Sequence, residues 1–322
     1  MINTVILDLV NDTKKSVDLA VKSMMESNPA AFPTETVYGI GAPIFDENAV
    51  LKVFDIKQRN RSNPLSAHVS SLEHIEFLCE NIPDEFYKLS EKFLPGPLAL
   101  VLRRKSTVSE LVSGSLQTLS IRYPDNKYFL VLADELGQPI AATSANQTGR
   151  PSPNNAQSVF EDLNGKVKYI LDGGRCRYSV ESTVLSLVES KPVLYRPGVI
   201  TQQAIENVLG YKIYSADKQL SVYKPVSEFS AIKSSFKLYS SDSIGKINSF
   251  AKEHIGKTMV LTSREQLNNI DCENKFELSA GNLFEILREA EKDKFDAVVI
   301  LDDEYFQKDE ILSHRLKSAE KI

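Results

Sequence analysis

Along the first two-thirds of the chain, short apolar runs that suit strands interleave with amphipathic stretches that suit helices, but the two do not alternate one for one. That irregular rhythm argues against a simple doubly wound sheet and for a mixed, layered sheet covered by helices. Val17, Ala20/Val21 and Met24/Met25 carry a helical period across 13–27, which ends before Asn28-Pro29. "DENAVLKVFDIK" predicts a helix capped by Asp46, with Ala49/Val50 and Val53/Phe54 on its apolar face. Further helices are expected near 72–80, 84–93, 126–136 and 201–209, the last closed by Gly210. Strands are expected on either side of Pro33, in "LSAHVS", and at 98–104, 117–122, 139–143, 167–172, 182–188 and 192–196.

At 322 residues, two domains are the natural expectation. The pattern weakens over 211–235, read as a linker between a domain at 1–210 and another at 236–322. The second region runs strand, helix, strand, short strand, helix, strand, helix, which suits a small Rossmann-like domain. Net charge is −5 and the pI about 5.6, which argues against a general nucleic-acid coat protein while allowing a local basic pocket. Asp8 interrupts the apolar run at the start, so no signal peptide is expected, and the longest apolar runs are too short to cross a bilayer. Cys79, Cys176 and Cys272 are far apart and the four histidines are scattered, so neither a disulfide framework nor a zinc ribbon is readable. A cytoplasmic protein without membrane contact is the expectation.

"GKT" at 256–258 resembles the end of a phosphate-binding loop, but Ala251 stands where that motif needs glycine and the strand follows the loop instead of preceding it. A turn from helix into strand is the better reading. "DIKQRNRSNPL" places Lys57, Arg59 and Arg61 within five positions. Such a cluster is either the charged last turn of a helix, offsetting its dipole, or a phosphate site. If the helix continued, Lys57 and Arg61 would share a face; if the chain turned extended, all three cations would alternate onto one side.

Other polar stretches carry the same ambiguity. "IAATSANQTGRPSP" (140–153) ends a strand in hydroxyls and tight-loop backbone, a pattern shared by β-turns and anion cradles. "DGGRCRYSVESTV" opens a strand behind Glu181-Ser182-Thr183, and Arg196 ends another before Pro-Gly. In "PTETVYGIG", Gly39 and Gly41 suggest close packing at a strand.

The order of "FPTETVYGIG", "KQRNRSNPLSAHV", "KFLPGPLALVL", "LSIRYP", "IAATSANQTGRPSP", "DGGRCRYSVESTV" and "LYRPGVIT" resembles the successive signatures of YrdC-like proteins over about 12–210. The remainder resembles the C-terminal domain of the long, two-domain members, the threonylcarbamoyl-AMP synthases. The resemblance implies a three-layer α/β fold (α+β type) with a mixed twisted sheet, followed by the Rossmann-like domain. It implies synthesis of L-threonylcarbamoyladenylate and pyrophosphate from L-threonine, bicarbonate and ATP, with Mg²⁺ carried on ATP and no metal held by protein side chains. The product would pass to a separate transferase that modifies tRNA beside the anticodon. Carried over residue by residue, Lys57, Arg59 and Arg61 would hold the triphosphate, with Lys57 and Arg59 central to catalysis. Thr118, Ser144, Asn146, Ser152 and Arg196 would complete the ATP site. Thr34, His68, Arg122, Ala142 and Ser182 would line the threonine and bicarbonate pocket, with Arg122 facing the carboxylate and His68 as a positioner or a general base.

The chain departs from the family pattern at Asn60, where proline is usual, and in "TSAN" and "PLSAHV", which leave the charged and hydroxyl groups in place. The basic-aromatic run that closes over the active site in long members corresponds to "SSFKLYSS", keeping Phe236 and Tyr239 but with Ser235 and Leu238 for its lysine and histidine. The alternatives are a non-catalytic module making weak RNA or ribosome contacts, a nucleotide-hydrolysing paralogue, and a hydrogenase-maturation enzyme. The isolated cysteines argue against the last.

Overall fold

A computed structural model describes residues 2–215, 235–254, 256–316 and 320–321. They form two compact units: the first holds the described residues up to 215 except Gly149–Pro151, which group with the described residues from 235 onward in the second.

The first unit is built on strands β1 (Val5–Asp8), β2 (Ala30–Phe32), β3 (Gly39–Pro43), β4 (Ser66–His68), β5 (Cys79–Glu80), β6 (Leu98–Arg104), β7 (Thr118–Arg122), β8 (Ile140–Ser144), β9 (Tyr169–Asp172), β10 (Thr183–Ser186), β11 (Val193–Arg196) and β12 (Tyr214–Ser215). Their order in the sheet is β1-β9-β2-β3-β8-β4-β7-β6-β10-β11-β12, with β5 paired to β6. Parallel pairs (β4 with β7, β6 with β10) sit among antiparallel ones (β3 with β8, β8 with β4), so the sheet is mixed, as the irregular rhythm predicts.

Eight helices cover this sheet among the described residues: α1 (Thr13–Met25), α2 (Glu47–Lys57), α3 (Leu72–Leu78), α4 (Asp84–Phe93), α5 (Glu110–Ser113), α6 (Lys127–Leu136), α7 (Ala156–Leu163) and α8 (Gln202–Leu209). Asp46 caps α2 by accepting from Ala49 N at 3.0 Å, and Gly210 ends α8 with a φ of 80°. Val53 and Phe54 of α2 and Phe86 and Leu89 of α4 join Ile40, Ala67, Leu100, Ile121 and Ala141 in one apolar cluster. Val17 and Met24 of α1 and Phe129 and Leu132 of α6 pack on Phe32, Ile140 and Ala142 from the opposite face. Sheet residues of opposite parity thus meet helices on opposite sides, which makes three layers.

The second unit carries a wholly parallel sheet, β15-β14-β16-β13-β17, from β13 (Lys237–Ser241), β14 (Thr258–Thr262), β15 (Lys275–Glu277), β16 (Ala297–Leu301) and β17 (Glu320–Lys321). Its helices are α9 (Ile244–Glu253), α10 (Leu283–Lys292), α11 (Glu304–Lys308) and α12 (Glu310–Arg315), in keeping with a Rossmann-like unit. Gly256, at a φ of 75°, lies in the turn between α9 and β14, so "GKT" leads into a strand.

The first strand expected of the second region, within "SSFKLYSS", is present: Lys237–Ser241 is an interior strand paired with both β16 and β17, and Tyr239 packs against Phe250 at 5.1 Å between ring centroids. Of the two readings of this run, the strand holds and the closing segment does not. The strand's backbone is committed to the sheet by pairing on both sides. Of the expected linker, Tyr214–Ser215 pairs with β11, and 216–234 lies outside the described residues. Sequence periodicity also misses β1, β5, α5 and α7. The last is marked by Asn155, whose side chain accepts from Ser158 N at 2.8 Å, and by Val159 and Leu163 one turn apart.

Candidate functional site

Residues paired in register share a face of a sheet. Gly41 pairs with Ala142, Ala142 with Ser66, and Ser66 with Ser120, while His68 pairs with Arg122 and Ser144 with Gly39. Strands β3, β8, β4 and β7 therefore present Ser144, Ala142, Ser66, His68, Thr118, Ser120 and Arg122 on one face. The residues between them, such as Ile40, Ala67, Leu119 and Ala141, feed the apolar cluster behind. A Cβ on Gly41 would lie 2.5 Å from Ile140 Cγ2 and 2.8 Å from the Ala141 carbonyl, which confirms the close packing that glycine permits.

Lys57 ends α2 and turns inward. Its Nζ donates to the Ser144 carbonyl at 2.7 Å, to the Asn146 side-chain oxygen at 3.0 Å and to the Asn146 carbonyl, and the residue is 1% exposed. The Asn146 side-chain oxygen also accepts from Ser144 Oγ at 2.6 Å, so three predicted ATP residues form one hydrogen-bonded group. Gln58 then takes a left-handed conformation with a φ of 50°. The chain neither continues as helix nor becomes extended, and the three cations diverge. Arg59 donates to the Asn63 and Pro64 carbonyls at 3.2 and 3.0 Å, whereas Arg61 is exposed and lies 3.9 Å from Asp55. Asn60 supplies a side-chain turn in place of a proline ring: its Oδ1 accepts from Ser62 N and Ser62 Oγ, both at 3.0 Å.

Arg122 is buried against the "PTET" loop. Its Nη2 donates to Thr36 Oγ1 at 2.6 Å, Glu35 Oε2 at 2.8 Å and Thr34 Oγ1 at 3.2 Å. His68 sits beside it among Phe32 and Phe129, its Nδ1 3.3 Å from the Ser66 carbonyl. Burial, then the neighbouring Arg122 charge, pushes its pKa down to about 3, so the ring is neutral near pH 7.

A third group gathers round Glu181. This carboxylate accepts from Ser152 Oγ at 2.7 Å and pairs with Arg196 Nη1 at 3.3 Å, while Arg196 also donates from Nε and Nη2 to the Ser182 carbonyl at 3.0 and 2.8 Å. Gly198 lets the chain leaving β11 pass close to the start of β10, since a Cβ would lie 2.4 Å from Thr183 N. Among the described residues, Thr118 Oγ1 and Ser182 Oγ are buried with no hydrogen-bond partner.

Sequence reasoning quoted Glu35, Thr36 and Glu181 without giving them a role. It also missed Tyr38, which ties the motif loops together. Tyr38 N donates to the Pro153 carbonyl at 2.8 Å, its carbonyl accepts from Ala145 N at 2.8 Å, and its hydroxyl donates to the Gly174 carbonyl at 2.7 Å. Tyr38 is fully buried, and burial beside Asp172 raises its pKa, which keeps the phenol a donor. An aromatic with a polar tip inside a Gly-rich run was the available signal.

Fold and site together define a mixed α/β protein with Arg122 and several hydroxyls on one sheet face and Lys57 reaching the end of β8 from α2. The family model Sua5_yciO_yrdC, described as "Telomere recombination", matches residues 23–198. The chain belongs to this family. A threonylcarbamoyl-AMP synthase of Pyrococcus abyssi is 45% identical over 194 residues, 60% of this chain and 57% of that relative. One from Bacillus subtilis is 41% identical over 225 residues, 69% of this chain and 64% of its own length. In sequence, the chain therefore spans a little under two-thirds of these relatives. The solved structure of P. abyssi Sua5 complexed with L-threonine matches with a TM-score of 0.88 at 32% identity, covering 99% of this chain and 100% of that one.

Proposed function

We propose that this chain is a threonylcarbamoyl-AMP synthase, which makes L-threonylcarbamoyladenylate and pyrophosphate from L-threonine, bicarbonate and ATP. The observation that carries the reading is the register of β3, β8, β4 and β7, which puts the buried Arg122 on one face with Ser144, whose carbonyl holds Lys57 at the strand end. The full-length match to a threonine-bound relative supports it.

In this reading the threonine ammonium and bicarbonate condense to a carbamate: a C–N bond forms, one bicarbonate C–O bond breaks, and water and a proton leave. A carbamate oxygen then attacks the α-phosphorus of ATP, and the bond to pyrophosphate breaks. Each approach of like charges costs about 4 kcal/mol at close range for an effective dielectric near 20, so positioning and neutralisation dominate the catalysis. Arg122, Thr34 and Ser182 hold threonine. Lys57 and Arg59 set the phosphate-facing loops, and Arg196 exchanges Glu181 for the nucleotide. His68, too weak a base near pH 7 to take up the released proton, positions through hydrogen bonds. The donor set fits an anion more than a bare cation, so Mg²⁺ carried with ATP would supply further charge neutralisation at the phosphates.

A cytoplasmic location and delivery of the product to a tRNA-modifying transferase belong to the same proposal. Among the described residues no helix is long and apolar enough to cross a membrane. The test is incubation with ATP, Mg²⁺, bicarbonate and threonine, following pyrophosphate and the adenylate by chromatography. Pyrophosphate release that ignores threonine and bicarbonate would overturn the reading and favour a nucleotide-hydrolysing paralogue.

A further inference from the structure

Two atoms of the Arg122 cluster are buried without hydrogen-bond partners among the described residues: the donor Nε of Arg122 and the acceptor Oε1 of Glu35. The ion pair between these residues runs through their other atoms, Nη2 and Oε2, at 2.8 Å. Native proteins seldom leave such atoms unmatched, least of all a donor and an acceptor in one ion pair. What satisfies both is a ligand with an anionic acceptor and a cationic donor close together, which is the form of a free α-amino acid. Building on the reading of threonine as substrate, we propose that Glu35 receives the α-ammonium of L-threonine while Arg122 takes its carboxylate through Nε, so that the buried pair recognises the zwitterion as a unit.

Charge balance favours this occupant. Arg122 and Glu35 sum to zero, and a zwitterion keeps that sum. A deaminated acid would leave a net negative charge in a desolvated place, and an amino-acid amide a net positive one. The surroundings fix the pair for the task. Thr34 and Thr36 accept from the same Nη2 and orient the guanidinium, while Tyr178 N holds the Glu35 carbonyl at 2.9 Å. Rotation about the terminal carboxylate torsion, which is broad, turns the unpartnered oxygen toward an incoming ammonium without moving the backbone.

The experiment is calorimetric titration of the full chain with L-threonine and with 2,3-dihydroxybutanoate of matching configuration, which carries a hydroxyl in place of the ammonium. The wild type is expected to bind threonine about tenfold more tightly than the analogue or better, as one charge-assisted contact allows. In Glu35→Gln that advantage should fall to about twofold or less, with analogue affinity nearly retained, while Glu35→Asp should keep much of it. Equal losses for both ligands would make Glu35 a mere support for Arg122. No loss would put the ammonium elsewhere. Either result overturns the inference and leaves the synthase reading standing. A wild type that binds no threonine overturns both. Should Glu35→Gln fail to fold, the wild type alone decides, since an analogue binding as tightly as threonine refutes recognition of the ammonium.

Discussion

Replacing Lys57 with methionine separates the two readings of the cation cluster by magnitude. A lysine that only offsets a helix dipole contributes about 0.3–1 kcal/mol, and less in salt. Here the Nζ reaches three oxygens of the Ser144–Asn146 loop from a position 1% exposed. Hydrogen bonds to a charged group are worth about 1.5–3 kcal/mol each, set against the cost of burying the ammonium. Methionine keeps the stem, removes that cost and strands the acceptors, so a net loss of about 2–4 kcal/mol is expected. Equilibrium urea unfolding followed by circular dichroism measures it, at pH 7 in low and in high salt. Because the contacts are buried, the loss should change little with salt. Pyrophosphate formation should fall as well, since the same loop carries Ser144 and Asn146. A stability change under about 1 kcal/mol that vanished in salt would refute the loop-clamp reasoning and restore the helix-end reading.

Arg61→Ala should leave stability within about 0.5 kcal/mol, because its 3.9 Å approach to Asp55 is solvent-exposed, and thermal unfolding checks this. Gly198→Ala should cost about 1–3 kcal/mol and impair ATP use, because its Cβ would meet backbone at 2.4 Å beside Glu181 and Ser182; a fully active, equally stable variant would contradict the close approach described. The folded pKa of His68 lies below its unfolded value of 6.5, so stability is full above about pH 6.5 and declines as the pH falls toward 3, by at most about 1.4 kcal/mol per pH unit. His68→Leu should flatten that part of the acid limb in urea titrations at pH 6, 5 and 4, and parallel limbs for the two proteins would show that the ring titrates normally.

Much of the fold was readable locally. Asp46 and Gly210 marked the ends of α2 and α8, and the short continuous apolar run of "LALVLRR" marked β6. The elements missed were short or weakly periodic: β1 is largely exposed, and α5 has four residues. The run around Phe236 and Tyr239 was legible as a strand, but its resemblance to a closing segment was settled only by its pairing with β16. The site residues were legible as motifs, but their partners were not, since Tyr38, Glu35 and Glu181 act through contacts with residues distant in the chain.

The chain alone determined which chemical groups are available, in what order, and where helices must stop, because caps, glycines and apolar spacing act over a few residues. Tertiary structure decided where those groups point. Lys57, Arg59 and Arg61 are nearly adjacent in sequence, yet one left-handed residue sends them three ways, while strand register brings Ser144, His68 and Arg122 onto a common face from positions far apart in the chain. Direction at a turn and register between strands depend on hydrogen bonds to distant backbone, and local sequence specifies neither.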